Sequence, residues 1–73
     1  MIDMDYIVTD VIKGTEDIEF IFVDEDDCRI CIKAYSPDNF LTLMQGTFEI
    51  DDVFSYNGKI YDLHSIIYEL GWF

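Results

Sequence analysis

The sequence predicts a small α+β domain: an antiparallel sheet of about five strands with one or two short helices packed on one face. Three observations predict it. Apolar residues alternate with period two in several short runs, Asn57-Gly58 separates two such runs, and two further stretches carry helix caps followed by helical apolar spacing. The expected element order is β-β-β-α-β-β-α in a single domain spanning residues 1–73.

Met4 to Ile12 is rich in residues that prefer a pleated backbone, namely Tyr6, Ile7, Val8, Thr9, Val11 and Ile12. Lys13-Gly14-Thr15-Glu16-Asp17 breaks that run. Ile18 to Val23 follows as a second strand with Ile18, Phe20 and Phe22 on one face. Cys28 to Ala34 is a third, its face made by Cys28, Ile30, Ile32 and Ala34. A one-residue slip between these two strands would set Phe22 against Arg29 and Ile18 against Lys33. Pairing Phe22 with Ile30 and Phe20 with Ile32 avoids this and sets Glu19 opposite Lys33, with Glu25-Asp26-Asp27 as the loop.

Ser36-Pro37 reads as an N-cap followed by proline at the first helical position, with Asp38 in the first turn. Phe40, Leu41, Leu43 and Met44 share a helical face and Gly46 suits the position just past the helix end, although Leu41-Thr42-Leu43 also fits a strand. Thr47 to Ile50 and Val53 to Tyr56 are expected to be extended, with a bend at Asp51-Asp52. Asn57-Gly58 then predicts a two-residue type I′ hairpin between Phe54-Ser55-Tyr56 and Lys59-Ile60-Tyr61. Asp62 caps a last helix, Leu63 to Leu70, whose buried stripe is Leu63, Ile66, Ile67 and Leu70. Gly71 ends it.

Seventy-three residues leave a thin stability margin. The hydrophobic fraction of 51% and aromatic fraction of 16% nonetheless mark a folded chain, not an acidic disordered tail. Charge is the outlying property. Sixteen carboxylates against four Lys and Arg give a formal charge of −12, beyond the magnitude of about 2 to 8 usual for a small soluble domain. Self-repulsion at that charge destabilises the compact state, and a basic partner surface would offset it. Solubility alone, or a salt-rich habitat, is the plainer account of the same acidity.

The first five residues carry two acids and no apolar core of a signal peptide follows, so a cytoplasmic location is expected. No apolar run approaches the roughly 20 residues a membrane-spanning helix needs. A surface this negative is repelled by anionic lipid and by nucleic acid, so neither is expected as a direct ligand.

Few groupings point to catalysis, and no enzyme activity and no cofactor are expected. Cys28-Arg29-Ile30-Cys31 has the C-x-x-C spacing, but on a strand an offset of three sends the two thiols to opposite faces. Cys28 is expected in the core and Cys31 at the surface. Zinc would need further ligands, and the only histidine, His64, is remote in sequence. Asp24-Glu25-Asp26-Asp27 offers oxygens to calcium, yet the loop lacks the glycine and the later ligands of an EF-hand. It reads as a solvated turn, and no metal site is expected.

Acids spread along strands can imitate a polyanion, because carboxylates at i and i+2 lie about 6.5–7 Å apart on one face. Asp3/Asp5, Asp17/Glu19, Asp24/Asp26, Glu25/Asp27 and Glu49/Asp51 have that sequence spacing. Tyrosines interleave them, and Trp72-Phe73 closes the chain; Tyr and Trp are favoured interface anchors. The expected partner-binding residues are therefore Asp17, Glu19, Asp24, Glu25, Asp26, Asp27, Glu49, Asp51, Asp52, Tyr56 and Trp72.

In size and charge the whole chain resembles the small acidic inhibitors made by phages and mobile elements, such as DNA mimics and anti-CRISPR proteins. No motif is shared, so no residue roles carry over. The resemblance implies an inhibitor that occupies the nucleic-acid-binding surface of a nuclease, restriction enzyme or CRISPR-type effector. An immunity or antitoxin-type module without such mimicry, or a dimeric adaptor, is the alternative.

Overall fold

The computed structural model describes residues 4–70, and these form the element order expected: β1 (Tyr6–Lys13), β2 (Ile18–Asp24), β3 (Arg29–Ala34), α1 (Pro37–Thr47), β4 (Val53–Tyr56), β5 (Lys59–Asp62) and α2 (Leu63–Glu69). Gly71 and Trp72 lie outside the described residues. The five strands make one sheet in the order β3-β2-β1-β4-β5. The sheet is mostly antiparallel but mixed, because β4 runs parallel to β1. The chain leaves β3 at one edge, passes through α1 and enters the sheet on the far side of β1. A helical crossover of this kind is what parallel neighbours require.

The β2–β3 register is the one that keeps apolar side chains together: Phe22 faces Ile30, Phe20 faces Ile32 and Glu19 faces Lys33. β1 needs a correction to simple alternation. With Tyr6 and Val8 facing the core, strict period two would turn Asp10 inward as well. The β1–β2 register shifts between Val8 and Asp10, and the extra residue, Thr9, sends its hydroxyl to the Ile21 carbonyl at 3.3 Å. This irregularity returns Asp10 to solvent and lets Val11 pair with Phe20.

Both helices lie on the inner face of the sheet. Ser36 caps α1 by accepting from the Asn39 N–H at 3.1 Å, while the Asn39 side chain accepts from the Tyr35 N–H at 3.1 Å, so two orphan donors are satisfied together. Phe40 and Met44 of α1 are fully buried and Leu41 and Leu43 pack at their flanks, which settles residues 37–45 as helix. Gly46 does not end α1. The helix runs on to Thr47 and the Phe48 N–H closes it on the Met44 carbonyl at 3.0 Å. Burying the Phe48 ring outweighs the cost of about 1 kcal/mol that a glycine imposes within a helix. Thr47 to Ile50 is accordingly a helix end and a turn, not the extended stretch expected. Gly46 is exposed, and a Cβ there would meet nothing within 4 Å. Gly46→Ala is expected to stabilise by about 0.5–1 kcal/mol, read as a higher urea midpoint at unchanged slope.

The core holds an aromatic cluster at one end, and a Phe20–Phe40 ring pair (centroids 4.5 Å) among aliphatic side chains at the other. Phe48 and Phe54 touch each other and both touch Tyr6 and Phe22, with centroids from 4.7 Å (Tyr6–Phe48) to 5.9 Å (Phe22–Phe54). Ile32, Ala34 and Phe20 fill the sheet side of the remainder, against Phe40 and Met44 of α1 and Ile66 of α2. Cys28 is exposed and outside the core, contrary to expectation. The turn after β2 takes Cys28 as its closing residue, so β3 begins only at Arg29.

The β4–β5 hairpin turns on Asn57 (φ 52°) and Gly58 (φ 79°), both left-handed as a type I′ turn demands. Gly58→Val is expected to cost on the order of 1–3 kcal/mol through backbone strain alone, since space at the site is open. The check is a thermal melt. Melting like wild type would contradict the turn assignment.

Candidate interaction surface

The strand ends gather the acids. β1 begins beside the end of β2, with Tyr6 opposite Asp24. β4 begins beside the end of β5, with Val53 opposite Asp62. The β2–β3 turn and the α1–β4 loop emerge at the same end of the sheet. Asp5, Asp24, Glu25, Asp26, Asp27, Glu49, Asp51, Asp52 and Asp62 therefore converge there, more than half of the chain's sixteen carboxylates. A shallow hollow of about 240 Å³ opens among Asp5, Tyr6, Asp24, Glu25, Asp26 and Asp52. The half-buried Tyr6 joins the aromatic group by its ring. Burial, then the charges of Asp52, Asp24, Asp5 and Glu49, push its phenol pKa above the ordinary value.

The carboxylates at this end divide into two kinds. Asp24 Oδ1 accepts from the N–H groups of Asp26 (2.8 Å) and Cys28 (2.9 Å) and holds the β2–β3 turn. Asp5 Oδ2 accepts from the Val53 N–H at 2.8 Å while the Asp5 N–H donates to the Val53 carbonyl, extending the two-residue β1–β4 pairing. Asp52 closes its own loop by accepting from the Glu49 N–H at 2.9 Å. Asp62 caps α2 through the Ser65 N–H at 2.8 Å, and those hydrogen bonds lower its pKa below the ordinary carboxylate value. Glu25, Asp26, Asp27, Glu49 and Asp51 are exposed side chains outside these hydrogen bonds.

This division corrects the reading of Asp24 to Asp27 as a solvated turn, since the Asp24 carboxylate holds the turn together. Asp24→Ala is expected to cost on the order of 1–3 kcal/mol, because two turn N–H groups lose their acceptor. Asp24→Asn, which retains an oxygen at the same place, should cost less. Urea unfolding of both variants separates the two, and equal losses would show that charge rather than the acceptor matters.

The expected rows of carboxylates at i and i+2 along strands are not found. Asp24/Asp26, Glu25/Asp27 and Glu49/Asp51 lie in turns and loops, Asp17 precedes β2, and Asp3 lies outside the described residues. Turn residues tolerate Asp where a paired strand does not, so the charge concentrates at strand ends. Of the expected interface residues, Asp24 to Asp27, Glu49, Asp51 and Asp52 come together. Asp17 and Glu19 sit toward the opposite end, by the β1–β2 turn. Tyr56 is half-buried against the core beside the Asn57-Gly58 turn, away from the acids. Asp5 and Tyr6 belong to the surface without having been expected there. Their signal was Tyr6 at the start of a strand whose partner ends in Asp24.

All four Lys and Arg lie on strands: Lys13 on β1, Arg29 and Lys33 on β3, and Lys59 on β5. From Ser36 to Asp52, and again from Asp62 to Leu70, the chain contains acids but neither Lys nor Arg. Among the described residues no group of three or more His, Cys, Asp or Glu is arranged to hold a metal ion. His64, on the first turn of α2, and Cys31, on the outer face of β3, are both exposed. No described helix is long and apolar enough to cross a membrane. Comparison with family models, curated proteins and solved structures returned no match.

Proposed function

We propose that this protein binds a basic surface of a partner protein through the acidic end of its sheet. In this reading it acts as an inhibitor that occupies the nucleic-acid-binding site of a nuclease, restriction or CRISPR-type effector. The observation that carries it is the convergence of Glu25, Asp26, Asp27, Glu49 and Asp51 with the hydrogen-bonded Asp5, Asp24 and Asp52 at one end of the fold. Arg29 at the start of β3 is the one cation there among the described residues, while Lys13, Lys33 and Lys59 lie toward the other end. Such one-sided charge raises encounter rates with a basic surface and favours docking by that end.

The role is that of a rigid, pre-formed polyanion. Four of the carboxylates are fixed by backbone N–H groups, so little side-chain freedom is left to lose there on binding. Salt tests the reading. Affinity for the partner is expected to fall steeply between about 50 and 500 mM salt, as screening shortens the reach of exposed charges. The free protein is expected to gain stability over the same range as self-repulsion is screened. Affinity unchanged by salt would contradict the reading.

A further inference from the structure

The two helices leave an apolar groove between them, floored by the core residues Phe48, Leu63 and Ile67. α1 and α2 lie antiparallel, with Gln45 and Phe48 at the end of α1 beside Leu63 at the start of α2, and Leu41 further back beside Ile67 and Tyr68. Two adjoining hollows of about 230 Å³ each share His64 and Ile67, so the groove runs along α2. Its rims are the most exposed apolar side chains of the helical layer: Ile50 is 76% and Tyr68 75% exposed. An isoleucine this open on a turn that Glu49 and Asp52 close is not explained by the core.

We propose that this groove takes a cationic amphipathic helix of the partner protein, its apolar side chains seated between Ile50 and Tyr68. The proposal rests on the reading that the partner is basic, and adds which part of that partner is bound. Charge complementarity selects the occupant. Asp38 lies one turn before Leu41 on α1, Glu49 and Asp51 bracket Ile50, Asp62 caps α2 beside Leu63, and the two helices carry no Lys or Arg. A second copy of this chain would bring like charge against like. A cationic helix would bring lysines or arginines to the rims.

Continuity with the acidic end points the same way. Phe48 touches Tyr6 at 4.7 Å, and Glu49 and Asp52 act on the Tyr6 phenol, while Ile50 between them lines the groove. One five-residue loop thus belongs to both surfaces. The groove's length also fits. The seven residues of α2 span about 10 Å, enough for anchors at i, i+4 and i+7 of a ligand helix.

The test uses two synthetic peptides of equal length and charge, one an amphipathic helix of Leu and Lys and one with every Leu replaced by Ser. Wild-type protein is expected to bind the Leu/Lys peptide at least about tenfold more tightly, as burial of two or more leucines allows. Ile50→Ser combined with Tyr68→Ser, both at exposed positions, is expected to bring that ratio below about twofold while leaving Ser/Lys binding unchanged. Amide shifts in the wild-type protein should move at Leu41, Ile50, His64 and Tyr68. Equal affinity for the two peptides, or shifts confined to the open sheet face at Ile7, Ile12 and Ile60, would overturn the groove and leave the acidic end standing. If neither peptide binds at low salt, the basic-partner reading falls as well.

Discussion

Phe54→Ala is expected to leave little folded protein at 37 °C. The ring is fully buried and touches Tyr6, Phe22 and Phe48, with centroids 5.5, 5.9 and 5.0 Å away. Truncation of a buried phenylalanine costs about 3–5 kcal/mol through lost transfer energy and the cavity left behind. A chain of this size has a margin on the order of 5 kcal/mol, so the loss is comparable with the whole. Position makes it worse. Phe54 lies on β4, which joins the β4–β5 hairpin and α2 to the rest of the sheet through only two paired positions and the Asp5 hydrogen bonds. Near-ultraviolet circular dichroism and urea unfolding measure the result. A loss under about 1 kcal/mol would mean that β4 is not fastened to the core through this aromatic group.

The second large effect concerns binding and leaves the fold alone. Replacing Glu25, Asp26, Asp27 and Glu49 together with Gln or Asn removes four exposed charges but none of the side-chain acceptors that hold turns and caps. Association with the basic partner is expected to slow by about tenfold to a thousandfold, since steering by one-signed charge has that range. The salt dependence of the remaining binding should flatten. Stability should stay level or rise, because neighbouring like charges are relieved. Asp27 sits at φ 61°, a conformation Asn accepts, so that substitution adds no backbone strain. A lowered melting temperature would instead place these side chains among the supports of the turn.

The sequence carried much of the fold because most elements announce themselves locally. Asn57-Gly58 dictates its turn whatever surrounds it, and Ser36-Pro37 and Asp62 mark helix starts through backbone donors a few residues away. The β2–β3 register followed because only one alignment keeps Phe20 and Phe22 off the lysine and arginine of β3. What stayed hidden depends on contacts far apart in the chain. The parallel β1–β4 pairing joins residues 48 positions apart through Asp5 and Val53, and no local pattern specifies it. Gly46 looked like a helix end because the pull of the core on Phe48 cannot be seen in neighbouring residues.

The candidate surface was legible in its residues and not in its arrangement. Asp24 to Asp27, Glu49, Asp51 and Asp52 stood out by composition, yet their union requires the sheet order that sets β2, β1 and β4 side by side. Counting i, i+2 spacings treated the acids as strand residues, and most of them are in turns. Several also have a second duty as hydrogen-bond acceptors, which a charge count cannot reveal.

The central claim is that the acidic end occupies a nucleic-acid-binding surface, and competition tests it most directly. The protein and its variant with Glu25, Asp26, Asp27 and Glu49 neutralised are each used to capture partners from cells bearing nucleases, and the captured complex is challenged with DNA or RNA. The account predicts a basic, nucleic-acid-binding protein that wild type retains, the variant captures weakly, and excess nucleic acid releases. A partner held equally by both proteins and indifferent to nucleic acid would contradict it.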